Sequence, residues 1–289
     1  MLSLGGYVVV IASVLLGYIL HHGELGILFQ PTELIIIGGA ALGALIASSS
    51  VHLLKGIVHA SKEAFFGNGI SHDKYMELLL CMNDLFKLAA QNPLSLEKHV
   101  ENPAESEIFK KYPKVNADEK VMHFLCNTLT LLTFENISYH DLDDLLEQDI
   151  ESNDKEERQI PATLARIADA FPGLGIVAAV LGVVITMGKL SQGKEVIGAS
   201  VAAALVGTFL GVLFCYGIFQ PLASRVEASL EEKSEILHVI KAGLVAYSRG
   251  ARPVVSLEYI RRNIPPEYRP TFKELEEATK GGGATGGKA

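Results

Sequence analysis

Four stretches of the chain contain no Asp, Glu, Lys or Arg: Met1 to Leu20, Leu34 to Leu54, Ala170 to Gly188 and Val196 to Ser224. A hydrocarbon core about 30 Å thick is crossed by roughly 20 apolar residues in a helix rising about 1.5 Å each, so every stretch is long enough to span. Soluble core helices of that length carry a charged face, and none of these does. The expected fold is therefore all-α, a polytopic membrane protein with transmembrane helices at 1–20, 34–54, 170–188 and 196–224. Whole-chain averages conceal this, because the 49% hydrophobic and 20% charged residues fall in separate blocks and mean hydropathy is only +0.28. The first stretch has no basic segment ahead of it. It ends in Gly17-Tyr-Ile-Leu-His-His22, a poor cleavage site for a leader, so it is expected to stay as a helix.

Basic residues give the expected orientation. The 21–33 connection holds no Lys or Arg, and the 189–195 connection holds only Lys189 and Lys194. All others of the 25 lie in the 55–169 loop or in the 225–289 tail. The positive-inside bias puts that loop, the tail and both termini in the cytoplasm, with the two short loops facing the periplasm. The long loop reads as a helical cytoplasmic domain. Tyr75 to Ala90 and Val121 to Leu132 carry apolar residues at three- and four-residue spacing. Asp141 to Glu157 is acidic, with Leu142, Leu145, Leu146 and Ile150 as the expected buried stripe. Arg225 to Tyr247 continues the fourth span as an amphipathic helix, and the Gly-rich Gly281 to Ala289 is expected to lack fixed structure.

Several function classes are disfavoured. A net charge of −8 without a basic block argues against a nucleic-acid partner. Cys81, Cys126 and Cys215 are scattered and suggest neither a disulfide framework nor a metal site. His21-His22 is an isolated pair, and no His, Cys or carboxylate cluster has ligand or catalytic spacing. No catalytic residue, metal or cofactor is expected, and the chain is not read as an enzyme.

With their end residues set aside, the spans contain no ionisable side chain. Such groups inside membranes mark ion pathways, so if this chain conducts ions another chain must supply the carboxylate. Spans three and four are rich in small residues, among them Gly175, Gly182, Gly207 and Gly211, which let helix backbones approach closely. The partner for that packing is either this chain's own bundle or another chain. Thr186, Ser200, Thr208 and Tyr216 are either interhelical hydrogen-bond partners or pore-lining groups. Pro172 and Pro221 read either as a helix start and a helix stop or as hinges at the bilayer boundary.

Particular segments resemble a known family. Pro172 to Val184 (PGLGIVAAVLGVV), Val206 to Gly211 (VGTFLG) and Gln220 to Ala223 (QPLA) are similar to the MotA family of flagellar motor stator subunits, within the MotA/TolQ/ExbB proton channel family. So are Ser95 to Pro103 (SLEKHVENP), Glu105 to Phe109 (ESEIF), Arg269 to Glu277 (RPTFKELEE), Leu16 to Leu20 (LGYIL) and Gln30 to Leu34 (QPTEL). The resemblance implies a bacterial inner-membrane ring, five copies by family expectation, around a MotB dimer that supplies a membrane aspartate and a peptidoglycan anchor. Ion flow would drive torque on the rotor protein FliG. It also implies hinge roles for Pro172 and Pro221 and a rotor contact at Glu97. An arginine is usual eight residues before that glutamate, where this chain has Ala89; Lys87 stands two residues away, on a different face of a helix. Sodium-driven relatives place a threonine in span three where this chain has Ala178-Ala179. With Thr208 as the remaining hydroxyl on the ion path, proton drive is expected. The alternative is an ExbB/TolQ-like energiser of periplasmic or outer-membrane work. Those chains usually have three spans and an outside N-terminus, so four spans, the Ser-Leu-Glu segment and the long acidic loop favour the MotA family.

Overall fold

The computed structural model describes residues 2–67, 69–133, 137–189, 191 and 193–281. Among these the regular structure is helical, without strands. In chain order the helices are α1 (Leu2–Leu20), α2 (Leu25–Leu28), α3 (Pro31–Ser48), α4 (Val51–Phe66), α5 (His72–Gln91), α6 (Pro93–Glu101), α7 (Glu107–Lys110) and α8 (Pro113–Asn116). There follow α9 (Glu119–Thr133), α10 (Tyr139–Glu157), α11 (Gln159–Met187), α12 (Lys194–Leu213), a π-helical segment (Phe214–Phe219), α13 (Gln220–Ser248), α14 (Pro253–Asn263) and α15 (Phe272–Gly281). The expected unstructured tail lies, from residue 282 on, outside the described residues. The chain divides into two compact units, one of Met1–Gly67 with Glu156–Leu230 and one of Asn68–Lys155 with Glu231–Ala289.

Among the described residues four helical runs are long and apolar enough to cross a membrane: Tyr139–Met187 and Lys194–Ser248 extend into the second unit, and Ser3–Leu20 and Leu25–Ser48 lie wholly in the first unit. Their ends differ from the charge-free stretches in instructive ways. The second stretch breaks before Leu54. α3 stops at Ser48, and Ser50 opens α4 by accepting the Leu53 N–H at 3.2 Å. Three successive serines offer the backbone alternatives to the helical ladder, and a serine N-cap satisfies the next helix's first donors. The second stretch also starts earlier, since Pro31 sits in the first turn of α3, where its missing N–H costs nothing. Pro31 to Glu33, read as loop, are therefore helical. α11 begins at Gln159, well ahead of the apolar run, so Pro172 lies inside a helix instead of starting one. Within the unit, Ile37 and Ala41 of α3 pack with Ala168, Phe171 and Ala178 of α11 and with Cys215. Ile57, Ala60 and Ala64 of α4 pack with Leu164, Ala223 and Val226. Most of the aliphatic surface of α1 is exposed.

The second unit has a conventional core. Leu78, Leu79, Met82 and Phe86 of α5 meet Phe124, Leu125 and Leu129 of α9, with Ile236, Ile240 and Leu244 of α13. Phe86 stacks on Tyr247 at 4.7 Å between ring centroids. On acidic α10, Leu142, Leu146 and Ile150 are buried at four-residue spacing, whereas Leu145 is exposed. The flank of that helix next to the stripe is not idle charge: Asp143 and Glu147 both hold Lys241, at 2.8 and 2.5 Å.

A more buried ion pair joins α5 to the start of α9. Lys74 Nζ lies 2.6 Å from Asp118 Oδ2, with both side chains largely buried, and Asp118 also accepts the Val121 N–H. Burial alone would raise the Asp118 carboxyl, but the Lys74 ammonium and the Val121 N–H outweigh it and hold it below the ordinary aspartate range. A carboxyl lowered on folding stabilises the fold above its unfolded value, about pH 4, and that contribution is lost as pH falls further. Lys74→Met removes the ammonium paired with the buried carboxylate, leaving the Val121 N–H and the Lys233 charge to support it, and is expected to cost about 3 kcal/mol. Denaturation of the detergent-solubilised protein, followed by tyrosine circular dichroism, measures this. An unchanged midpoint at neutral pH would discount the pair.

Candidate functional site: two prolines on a glycine-packed helix pair

α11 and α12 pack backbone to backbone. A Cβ on Gly175 would lie 2.8 Å from the Gly207 carbonyl oxygen, and one on Gly211 would lie 2.5 Å from the Phe171 oxygen and 3.0 Å from Gly175 Cα. Higher up, Gly182 faces Ala204, whose Cβ is 2.7 Å from the position of an added methyl. The small-residue face is thus consumed inside this chain, which settles the choice the sequence left open for these glycines. Thr186 uses its hydroxyl internally, donating to the Gly182 carbonyl at 2.8 Å.

The two prolines, far apart in sequence, share one neighbourhood. Pro172 has no N–H, so the Ala168 carbonyl loses its helical donor. Beside it, Phe171 stacks on Phe219 at 4.6 Å and meets Phe214 edge-on at 5.7 Å. Those two rings belong to the π-helical segment, which ends at Phe219, two residues before Pro221. There the Gln220 N–H reaches back to the Cys215 carbonyl, one residue further than an α-helix requires. Widened turns of this kind are where a helical ladder absorbs an interruption, and Pro221 supplies one. The helix therefore runs on through Pro221 into α13 and does not stop. Two further hydrogen bonds secure the spot: Gln220 Nε2 donates to Asp169 Oδ1 at 2.7 Å, and the Tyr7 hydroxyl donates to the Ile218 carbonyl at 3.1 Å. The sequence marked both prolines; it held no sign of the Asp169–Gln220 bridge or of the π-turn.

The residues assigned to the ion path lie in the same helix pair. Ala178 is fully buried against Gly207, while Ala179 and Thr208 are half-buried. Glu33 joins them unexpectedly. It is only 7% exposed, and its Oε2 lies 2.9 Å from where a Cβ on Gly207 would stand. Glu33 thus belongs to a helix and not to the loop expected at 21–33: the first turn of α3 lies against the middle of α12. The nominated rotor-contact residues lie in the other unit. Glu97 on α6 and Lys87 on α5 are both exposed, and Ala89 packs against the core.

The motility protein A N-terminal family model matches residues 4–93, and the MotA/TolQ/ExbB proton channel model matches residues 116–238. Motility protein A of Salmonella typhimurium is 38% identical over 279 residues, 96% of this chain and 94% of that protein. The chain belongs to the motility protein A family. Two solved assemblies share its fold. The Campylobacter jejuni MotAB structure matches with a TM-score of 0.75 at 19% identity, over 93% of this chain and 98% of that one. The Bacillus subtilis flagellar MotAB stator complex matches with a TM-score of 0.71 at 20% identity, over 95% and 98%. Membership in this family makes the chain a multi-pass membrane protein of a proton channel family.

Proposed function

We propose that this chain is the ring-forming subunit of a flagellar stator, which works with a MotB partner to convert proton flow into torque on the rotor. The observation that carries this reading is the 38% identity to a motility protein A along 96% of the chain, which takes in both compact units. The ExbB/TolQ-like alternative gains nothing from the match of residues 4–93 to a model specific to motility protein A. In this reading about five copies, the number the family resemblance implies, surround the partner's helices. The partner supplies the membrane aspartate and the anchor. The connections ahead of α3 and between α11 and α12 face the periplasm. The 55–169 loop, the tail and both termini face the cytoplasm, as the basic residues favour. The second unit then meets FliG, with Glu97 and Lys87 as contact charges. Pro172 and Pro221 act as the hinge, and no chemistry beyond ion transfer is assigned.

Complementation tests the whole. Expressed with its partner in flagellated cells lacking their own stator, the chain is expected to restore swimming whose speed follows the proton gradient. Continued paralysis would sink the stator reading, and a speed that follows external sodium would sink proton drive alone. In the same strain Glu97→Lys should slow swimming; full speed would remove Glu97 from the rotor contact.

A further inference from the structure

Glu33 stands in the first turn of α3 and is only 7% exposed. Its Oε2 is buried and has no hydrogen-bond partner. The oxygen fills the space that a side chain on Gly207 would occupy, and the Ala178 Cβ and Ala179 N border that same point at 3.2 and 3.5 Å. Ala178 stands about nine residues before the end of α11, and Gly207 about thirteen after the start of α12. Measured along this helix pair, the carboxyl lies roughly 14–20 Å from the end of α11 and the start of α12, while on α3 it stands in the first turn of the helix.

The surroundings offer the carboxyl no countercharge. α3 has no other charged residue, α11 has none from Pro172 to Met187, and α12 has none from Val196 to Leu213. The charged groups on the elements around it are Arg166 and Asp169 early in α11, Lys194 and Glu195 at the start of α12, and Glu24 ahead of α2. Asp169 is engaged by Gln220 and Arg166 by Thr163. An ionised carboxylate with an unsatisfied oxygen is costly in such a place, whereas the protonated acid is far less so. A carboxyl serving only as polar filler would have its oxygens bonded.

We propose that Glu33 is a proton-binding site belonging to this chain itself, set between α3, α11 and α12 in the ion path. The proposal rests on the stator reading and deepens it. A proton arriving from water on the outer side forms the O–H bond at Glu33. That bond breaks as the proton passes inward to the carboxylate supplied by the partner, and no electron transfer is involved. Gly207 is required because any side chain there would displace the accepting oxygen, and the small Ala178 leaves it room.

The test uses the full chain assembled with its partner in vesicles of phosphatidylethanolamine and phosphatidylglycerol. Two readouts are taken: proton uptake under an imposed gradient, and infrared difference spectra on a change of pH. Glu33→Gln preserves shape and cannot carry the proton. It is expected to lower uptake at least about tenfold and to remove a protonated-carboxyl C=O band that the wild type shows. Unchanged uptake overturns the proposal, as does a spectrum that loses no band. A Glu33→Gln complex that fails to assemble also overturns it, since that would mark a structural carboxyl. A wild-type complex that carries no protons would sink the stator reading instead, and the carboxyl band would then decide on Glu33 alone.

Discussion

Gly211→Ala is expected to weaken the membrane unit severely, although it adds a single methyl group to a helix. The new Cβ would sit 2.5 Å from the Phe171 carbonyl oxygen and 3.0 Å from Gly175 Cα. Both are backbone atoms, so no side chain can rotate out of the way. Relief requires α11 and α12 to separate, which also pulls apart the Gly175–Gly207 approach one turn away. Overpacking costs about 1–3 kcal/mol where side chains can give way, and here at least the upper part of that range is expected. Gly198→Ala, on the same α12, is the control: a Cβ there meets nothing within 4 Å, and alanine is about 1 kcal/mol better than glycine in a helix. Thermal unfolding in detergent should rank Gly211→Ala far below wild type and Gly198→Ala level with it or above. Equal midpoints for the two variants would refute the backbone-clash account.

Pro172→Ala is expected to abolish torque while making α11 more stable. A proline inside a helix costs about 3 kcal/mol. Alanine restores the missing donor to the Ala168 carbonyl and favours one straight helix. The variant should still insert and co-purify with its partner, unfold at a higher temperature, and restore no swimming. Normal swimming would remove Pro172 from the hinge, and loss of partner association would assign it to folding. Phe171 stacks on the π-segment, and Asp169 holds Gln220 beside Pro221. In the proposed hinge the two prolines are therefore expected to bend as one joint. Pro221→Ala should give the same phenotype, and the double variant should add little to either, the non-additivity expected of residues that act as a unit.

How much of this was legible beforehand follows from what each signal encodes. Absence of charge reports transfer into lipid, so the four spans could be placed from composition alone, and the resemblance in Pro172 to Val184 led to the family. Helix ends answer to other physics. The break at Ser48 to Ser50 comes from local hydrogen-bond competition, and the early start of α11 lies in polar sequence that a hydropathy argument ignores. Gly207 and Gly211 announced close packing but not its partner, because a glycine pair reads alike towards its own bundle or a neighbour. Leu145 was assigned to the buried stripe of α10 because three- and four-residue spacings look equivalent in sequence, whereas the core selected the four-residue set alone. Glu33 was missed for a geometric reason. Its place at the edge of an apolar run says nothing about where that edge falls along a neighbouring helix.

With the glycines turned inward, α11 and α12 present aliphatic side chains outward. Ile176, Val180, Val184, Leu205 and Val212 are all exposed. Such a face offers a neighbouring helix no directional bond to hold or to break. Each atom pair is worth only about 0.1–0.2 kcal/mol, and as a helix turns, the attraction it leaves behind on one side is made up on the other. If the partner's helices lie against this face, as the proposed stator would have it, the face would serve as a plain bearing, gripping a shaft through many small attractions while leaving it free to turn.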